Sequence, residues 1–214
     1  REQAIVVGLD MPADIDEVIG AFLARMDPPS EARLAAGGVP ALARVIDIYY
    51  GRSGDHPDLM AQVKGRERGD RWSAALAVVA AAEPAAYVDT IADRSLGVLE
   101  LSVLGGVHDP RTAGILCRHL DADDWLVRLH AVRSLRRLGD EQGRPCIERA
   151  LDDPDPSVRV EATRAMGTWD PVRAIDRCEA LLAENGLAPG LRASVKGALA
   201  DLRSGNPVRY PRDP

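Results

Sequence analysis

Asp124-Trp125-Leu126-Val127-Arg128-Leu129-His130-Ala131 returns 31 residues later as Asp155-Pro156-Ser157-Val158-Arg159-Val160-Glu161-Ala162. The same shift lays Leu135 on Met166, Leu138 on Trp169, Ile147 on Cys178 and Leu151 on Leu182. Shifting backwards puts Asp93 on Asp124, Leu96 on Val127, Leu104 on Leu135, Val107 on Leu138, Leu116 on Ile147 and Leu120 on Leu151. Leu191-Arg192, with Val195, Leu199 and Leu202, repeats the first half once more at a shift of 33. A supersecondary unit repeated at this period cannot bury its apolar face alone, and stacked neighbours can.

Inside each repeat the apolar spacing of +4, +8 and +11 marks one face of a helix. Asp93, Asp124 and Asp155 stand at the N-cap positions of the first helices, where a carboxylate accepts orphan amide hydrogens and meets the positive helix end. Pro156 and Pro189 fall where the first turn tolerates proline. Asp109-Pro110, Gly139-Asp140 and Asp170-Pro171 punctuate the passage to a second helix. Each repeat therefore reads as an antiparallel helix pair, and the fold class as all-α, a right-handed superhelical solenoid of stacked pairs.

Asp-x-x-Val-Arg-x-x-Ala-x-x-x-Leu over 124–135, its near copy over 155–166, and the run Leu151-Asp-Asp-Pro-Asp-Pro resemble the HEAT-repeat family, particularly the short bacterial type of the phycobilin lyases. The resemblance spans about residues 93–203. The first of these repeats departs from it, with Gly97 and Glu100 in place of arginine and alanine, and the last lacks the cap aspartate.

The remainder of the chain is helical but out of step. Ile15, Val18, Ile19, Phe22, Leu23 and Met26 form one apolar stripe, and Val39, Leu42, Val45, Ile46 and Tyr49 a second, entered through Gly37-Gly38. Residues 51–57 read as a loop, 58–64 as a helix, 65–70 as a polar mobile stretch, and 71–82 with 84–92 as an Ala-rich helix pair. The only strand-like run is 4–9. The expected organisation is one continuous domain: a divergent part over 1–68, a degenerate pair over 69–92, the repeats over 93–203 and a tail over 204–214.

The 214 residues are 46% hydrophobic and only 4% aromatic, so the core must be built from Leu, Val, Ile and Ala, which suits packed helices. A net charge of −6 argues against a general phosphate-backbone binder. The longest apolar run, residues 74–82, is about half of the ~20 residues that span a bilayer. No secretory leader is visible at the start, and Cys117, Cys146 and Cys178 form neither a disulfide framework nor a zinc pattern. A reducing cytosol is the expectation. Lys64 and Lys196 are the only lysines, which is the bias of a GC-rich bacterial coding sequence.

No chemical motif overlies the repeats. His56, His108, His119 and His130 lack metal-ligand spacing and read as surface or interhelix residues. Cys178 occupies a core column, while Cys117 and Cys146, flanked by arginines, come closest to a reactive thiol. Gly37-Gly38 and Gly105-Gly106 lack phosphate-loop spacing. The carboxylates Asp121, Asp123, Asp124, Asp152, Asp153 and Asp155 recur with the fold and read as caps and ion pairs. Arg128, Arg159 and Arg192 form a column, expected as a ladder onto Asp121, Asp152, Asp124 and Asp155 in preference to a basic stripe. No catalytic residue, cofactor or metal is nominated.

In HEAT repeats the second helix lines the concave surface, and the resemblance carries that role to Arg111, Arg118, Glu148, Arg149, Arg173, Asp176, Arg177 and Glu179. Trp125 and Trp72, near helix starts, are candidate anchors for a partner or, equally, interhelix plugs; Trp169 belongs to the core column. Mixed charge without clustered aromatics suits a protein or peptide partner. The expected function is a non-enzymatic adaptor: a regulator, an assembly factor or an immunity-type protein. The alternative is a HEAT-fold enzyme or a handler of chromophore or nucleic acid, for which Asp170, Trp169 and Trp125 are the nearest residues.

Overall fold

A computed structural model describes residues 15–49 and 67–205. Among the described residues there are twelve α-helices and no strand: α1 (Ile15–Arg25), α2 (Pro28–Ala36), α3 (Gly38–Tyr49), α4 (Glu67–Ala82), α5 (Pro84–Ile91), α6 (Val98–Leu104), α7 (Thr112–Arg118), α8 (Trp125–Leu138), α9 (Arg144–Ala150), α10 (Pro156–Met166), α11 (Pro171–Ala183) and α12 (Pro189–Ser204). Single 3-10 turns at His119–Asp121 and Glu141–Gly143 follow α7 and precede α9. The all-helical expectation therefore holds. The strand-like run 4–9, the loop 51–57, the helix expected over 58–64 and most of the tail lie outside the described residues. The chain divides into two compact units, residues 1–91 and 92–214.

In the first unit, Val18, Ile19, Phe22 and Leu23 bury one face of α1. Met26 does not continue the stripe: at φ 49° it leaves the helix and is exposed. Asp27 then opens a helix that apolar periodicity does not announce. Its carboxylate accepts the Ser30 N–H at 3.0 Å and the Ser30 hydroxyl accepts the Asp27 N–H at 3.2 Å, a reciprocal cap over Pro28-Pro29. Gly37 must be a glycine because a Cβ there would lie 2.6 Å from that of Ala41. In α3 it is Ala41, Leu42, Val45, Ile46 and Ile48 that turn inward, and Val39, expected in the stripe, is exposed. Arg44 on α3 grips Asp16 on α1 through two hydrogen bonds of 2.6 and 2.7 Å. Residues 67–70, expected to be mobile, are the first turn of α4. Trp72 is fully buried on α4, the interhelix plug of its two readings and not the partner anchor.

In the second unit the first helices of successive repeats pack on one another: α6 on α8, α8 on α10, α10 on α12. The second helices lie against these: α7 on α6 and α8, α9 on α8 and α10, α11 on α10 and α12. The capping expectation holds at Asp124 and Asp155, whose carboxylates accept the Leu126 N–H at 2.9 Å and the Ser157 N–H at 2.7 Å. It fails at Asp93. There the helix starts later, at Gly97, because the buried Glu100 carboxylate reaches back to the Gly97 N–H at 3.1 Å and supplies the cap from inside. Gly139 ends α8 at φ 66°, donating its N–H to the Leu135 carbonyl at 3.1 Å, the left-handed stop that glycine adopts without strain.

The repeated apolar columns are buried at Leu104, Leu116, Leu135, Ile147, Val158, Met166 and Cys178. Val127, Trp169 and Leu182 are only half-buried, which corrects Trp169 as a core residue. Ala131 and Ala162 are fully buried at equivalent points of α8 and α10. Ala162→Leu should overpack this contact and lower unfolding stability by about 1–3 kcal/mol. A urea titration that leaves the midpoint unchanged would show that the helices have room to part there.

Candidate functional site

The arginine column is a ladder, with partners other than those expected. Arg128 makes a two-point pair with Asp153, Nε to Oδ2 at 2.8 Å and Nη2 to Oδ1 at 3.0 Å, and donates to the carbonyls of Ala122 and Asp123. Arg159 repeats the pattern, with Glu184 at 2.7 Å and the carbonyls of Asp153 and Pro154. Arg192 donates to the carbonyls of Leu182 and Glu184. Each guanidinium thus holds the chain just before its own helix by its carbonyls, and Arg128 and Arg159 also grip a carboxylate in the loop beyond the second helix of their own pair. Asp124 and Asp155 are not partners because their oxygens cap helices; Asp121 and Asp152 are engaged elsewhere. The column is turned to carbonyls and carboxylates, with Arg128 largely buried, and offers no basic stripe.

Asp121 and Asp152 serve the second helices. Arg149 on α9 reaches Asp121 at 3.2 Å and the Cys117 carbonyl at 3.4 Å. Arg177 on α11 reaches Asp152 at 2.7 Å and the Leu151 carbonyl. Arg118 on α7 donates to the Ala92 carbonyl at 2.6 Å. Glu148 joins Arg144 on its own helix at 3.4 Å and Arg173 on α11 at 3.3 Å, and Glu179 joins Arg203 on α12 at 2.5 Å. Arg111 pairs with Asp109 at 2.9 and 3.0 Å beside the start of α7, which holds the Asp109 carboxyl below its usual range. Asp176 is exposed on α11. Of the nominated residues, then, Glu148 meets Arg173 directly, and Arg149 and Arg177 each bridge to the preceding second helix or its end. Trp125 is 44% exposed at the first residue of α8, on a first helix. Leu126 beside it and Val172 on α11 are further exposed apolar side chains that the periodicity did not single out.

Sequence reasoning missed a buried charge cluster. Glu161 on α10 is 3% exposed, with Arg133 Nε at 3.5 Å and Arg136 Nε at 3.6 Å, both from α8. Arg164, one turn on and also buried, donates to the Ser194 carbonyl of α12 at 3.0 Å. Burial pushes the Glu161 carboxyl up, and the three guanidiniums pull against it. The signal was there: His130 and Glu161 share a column next to the buried Ala131 and Ala162, where polar side chains must find partners.

His119 holds a turn in place. Its Nδ1 lies 2.9 Å from the Ile115 carbonyl and its Nε2 accepts the Leu96 N–H at 3.1 Å, so the ring carries its proton on Nδ1. His130 sits 3.2 Å from the Ser102 hydroxyl. Burial, and then Arg133, hold its pKa below the ordinary 6.5. A depressed histidine contributes stability that is present above its unfolded pKa and is lost as pH falls through the folded one. Unfolding free energy should therefore decline as pH falls below the ordinary histidine value of 6.5, and His130→Gln should flatten the decline. An identical slope in the variant would remove His130 as its source.

The cysteines overturn their reading. Cys117 and Cys146 form a disulfide between α7 and α9, with Cα atoms 5.7 Å apart. A separation of 29 residues is close to one repeat, so two residues remote in sequence face each other on neighbouring second helices. The argument for a reducing cytosol falls with it. Cys178 behaves as expected of a core cysteine: it is buried, and its thiol is pushed up to about 11. Among the described residues no group of three His, Cys, Asp or Glu is placed to hold a metal, and no single helix is long and apolar enough to cross a membrane. Compared with protein-family models, with curated proteins and with solved structures, the chain matches none.

Proposed function

We propose that residues 93–203 form a HEAT-like solenoid that binds another protein through its second helices, acting as an adaptor without catalysis. The observation that carries this reading is the chemistry of α7, α9 and α11. They present arginines and carboxylates in alternation, exposed or half-exposed: Arg118, Arg149, Arg173 and Arg177 against Glu148, Asp176 and Glu179. Their ion pairs are exposed ones that contribute little to stability, so a partner of complementary charge can exchange them for its own. Trp125 offers an aromatic anchor of the kind enriched at interaction surfaces.

The double reversal Arg118→Glu and Arg149→Glu tests it. Thermal stability should change little, because exposed pairs of this kind are worth roughly 0–1 kcal/mol each. Partner capture should drop at least about tenfold, the factor that 1.4 kcal/mol produces. Undiminished capture by a folded double variant would take the site away from α7 and α9. Turnover of a small metabolite by the wild-type chain would replace the adaptor by an enzyme.

A further inference from the structure

We propose that the Cys117–Cys146 disulfide is a redox-operated clip: a small dithiol opens it, and opening frees α7 from α9 while the first helices stay packed. The two rows of helices are joined by different means. Successive first helices lie directly against each other around the buried column Leu104, Leu135 and Met166. Between α7 and α9 themselves the bonds are the disulfide and the reach of Arg149 to Asp121 and to the Cys117 carbonyl, an exposed pair that is weak alone, while α7 also packs on the Glu141–Gly143 turn that leads into α9.

The repeat itself shows that this bond is an addition. One repeat onward, the positions of Cys117 and Cys146 are held by Glu148 and Arg177. There α9 and α11 are spanned without a covalent bond, by Glu148 with Arg173 at 3.3 Å and Arg177 with Asp152 at 2.7 Å. A step of the same fold is thus held without a covalent bond, so breaking the disulfide leaves α7 and α9 with a connection of the same kind.

The sulfurs are placed for exchange. Both cysteines are half-buried, within reach of a small reagent, whereas Cys178 is buried in the core. Arg118 follows Cys117 in the chain and Arg149 reaches the Cys117 carbonyl. Cationic neighbours favour the departing thiolate. In the reaction, one thiolate of the dithiol attacks a cysteine sulfur, the Cys117–Cys146 bond breaks, and a mixed disulfide forms. The second thiol of the reagent closes on the first. Two electrons have then passed from the dithiol, now a cyclic disulfide, to the protein, and two protons end on Cys117 and Cys146. Oxidised glutathione runs the exchange back. Opening the clip parts Arg118 on α7 from Arg149 on α9 and so weakens partner binding; that consequence rests on the adaptor reading above, whereas the clip does not.

The experiment uses the full chain, treated either with oxidised glutathione or with dithiothreitol. Under denaturing conditions iodoacetamide should label only Cys178 in the first sample and all three cysteines in the second. Hydrogen exchange of the α7 and α9 amides should be roughly tenfold faster in the reduced sample, with α8 and α10 unchanged, since local opening follows local contacts. Cys117→Ser with Cys146→Ser should exchange like the reduced chain in either reagent. Three labelled thiols after oxidised glutathione, identical exchange in both samples, or an equal rise over all four helices would each overturn the clip. Redox-dependent exchange together with redox-independent partner binding would keep the clip and sink the adaptor site instead.

Discussion

Glu161→Ala should lower the unfolding free energy of the second unit by about 3–5 kcal/mol, the usual result of removing one partner from a buried ion cluster. The carboxylate is 3% exposed and faces Arg133 and Arg136 at 3.5 and 3.6 Å, with Arg164 buried one turn along its own helix. Without it, the half-buried guanidiniums of Arg133 and Arg136 on α8 and the buried Arg164 on α10 lose the carboxylate they share. Arg164 is already held below its ordinary pKa by burial, and Glu161 works against that shift. Glu161→Gln keeps the shape and an acceptor oxygen but no charge, and should fall between wild type and alanine. Urea titration followed by circular dichroism at pH 7 measures all three; a loss below about 1 kcal/mol for alanine would mean that the arginines find water instead.

Leu135→Ala should cost about 2–5 kcal/mol, the range for a buried leucine cut to alanine. Leu135 is fully buried on α8, in the column it shares with Leu104 and Met166. One methyl lies 2.9 Å from where a Cβ on Gly143 would stand, so the turn before α9 closes onto this side chain with only a glycine between them. The cavity has little means of collapsing, because α8 is held between α6 and α10. The upper half of the range is therefore expected. Calorimetry that places the loss near 1 kcal/mol would show that the Gly143 turn moves in to fill the space.

The parts legible in the sequence were those carried by local chemistry. Asp124 and Asp155 cap their helices because an aspartate before an apolar stripe has few better uses, and Gly139 stops α8 because glycine alone takes its φ cheaply. Asp93 misled because Glu100 competes for the same task from three residues inside the helix. The helix at Pro28–Ala36 escaped notice since it buries only Ser30 and Leu34 and is announced by its cap alone. At the site, exposure of the second-helix charges followed from their period, but not which charge meets which: pairing depends on the offset between neighbouring helices, about 24–29 residues in chain distance, and no single-helix pattern contains it. The disulfide was lost for the same reason. Counting cysteines by spacing along the chain assumes that near means near in sequence, and here the fold brings each repeat back beside the last.

Arg128 and Arg159 carry a consequence for how the molecule comes apart. Each grasps the loop before its own helix and a carboxylate in the loop that leads from its own pair to the next first helix, so each ties one repeat to the chain on both sides of it. Fraying of a terminal pair then strands a guanidinium belonging to its neighbour, and the penalty is passed inward. Stability in stacked repeats is a sum of intrinsic and nearest-neighbour contributions, and sharing of this kind moves weight from the first to the second. Denaturation over residues 92–205 should accordingly run as one steep transition, with fluorescence of Trp125 and Trp169 and far-ultraviolet ellipticity falling together. Where the couplings are intact, the array melts as a block and does not peel from its ends.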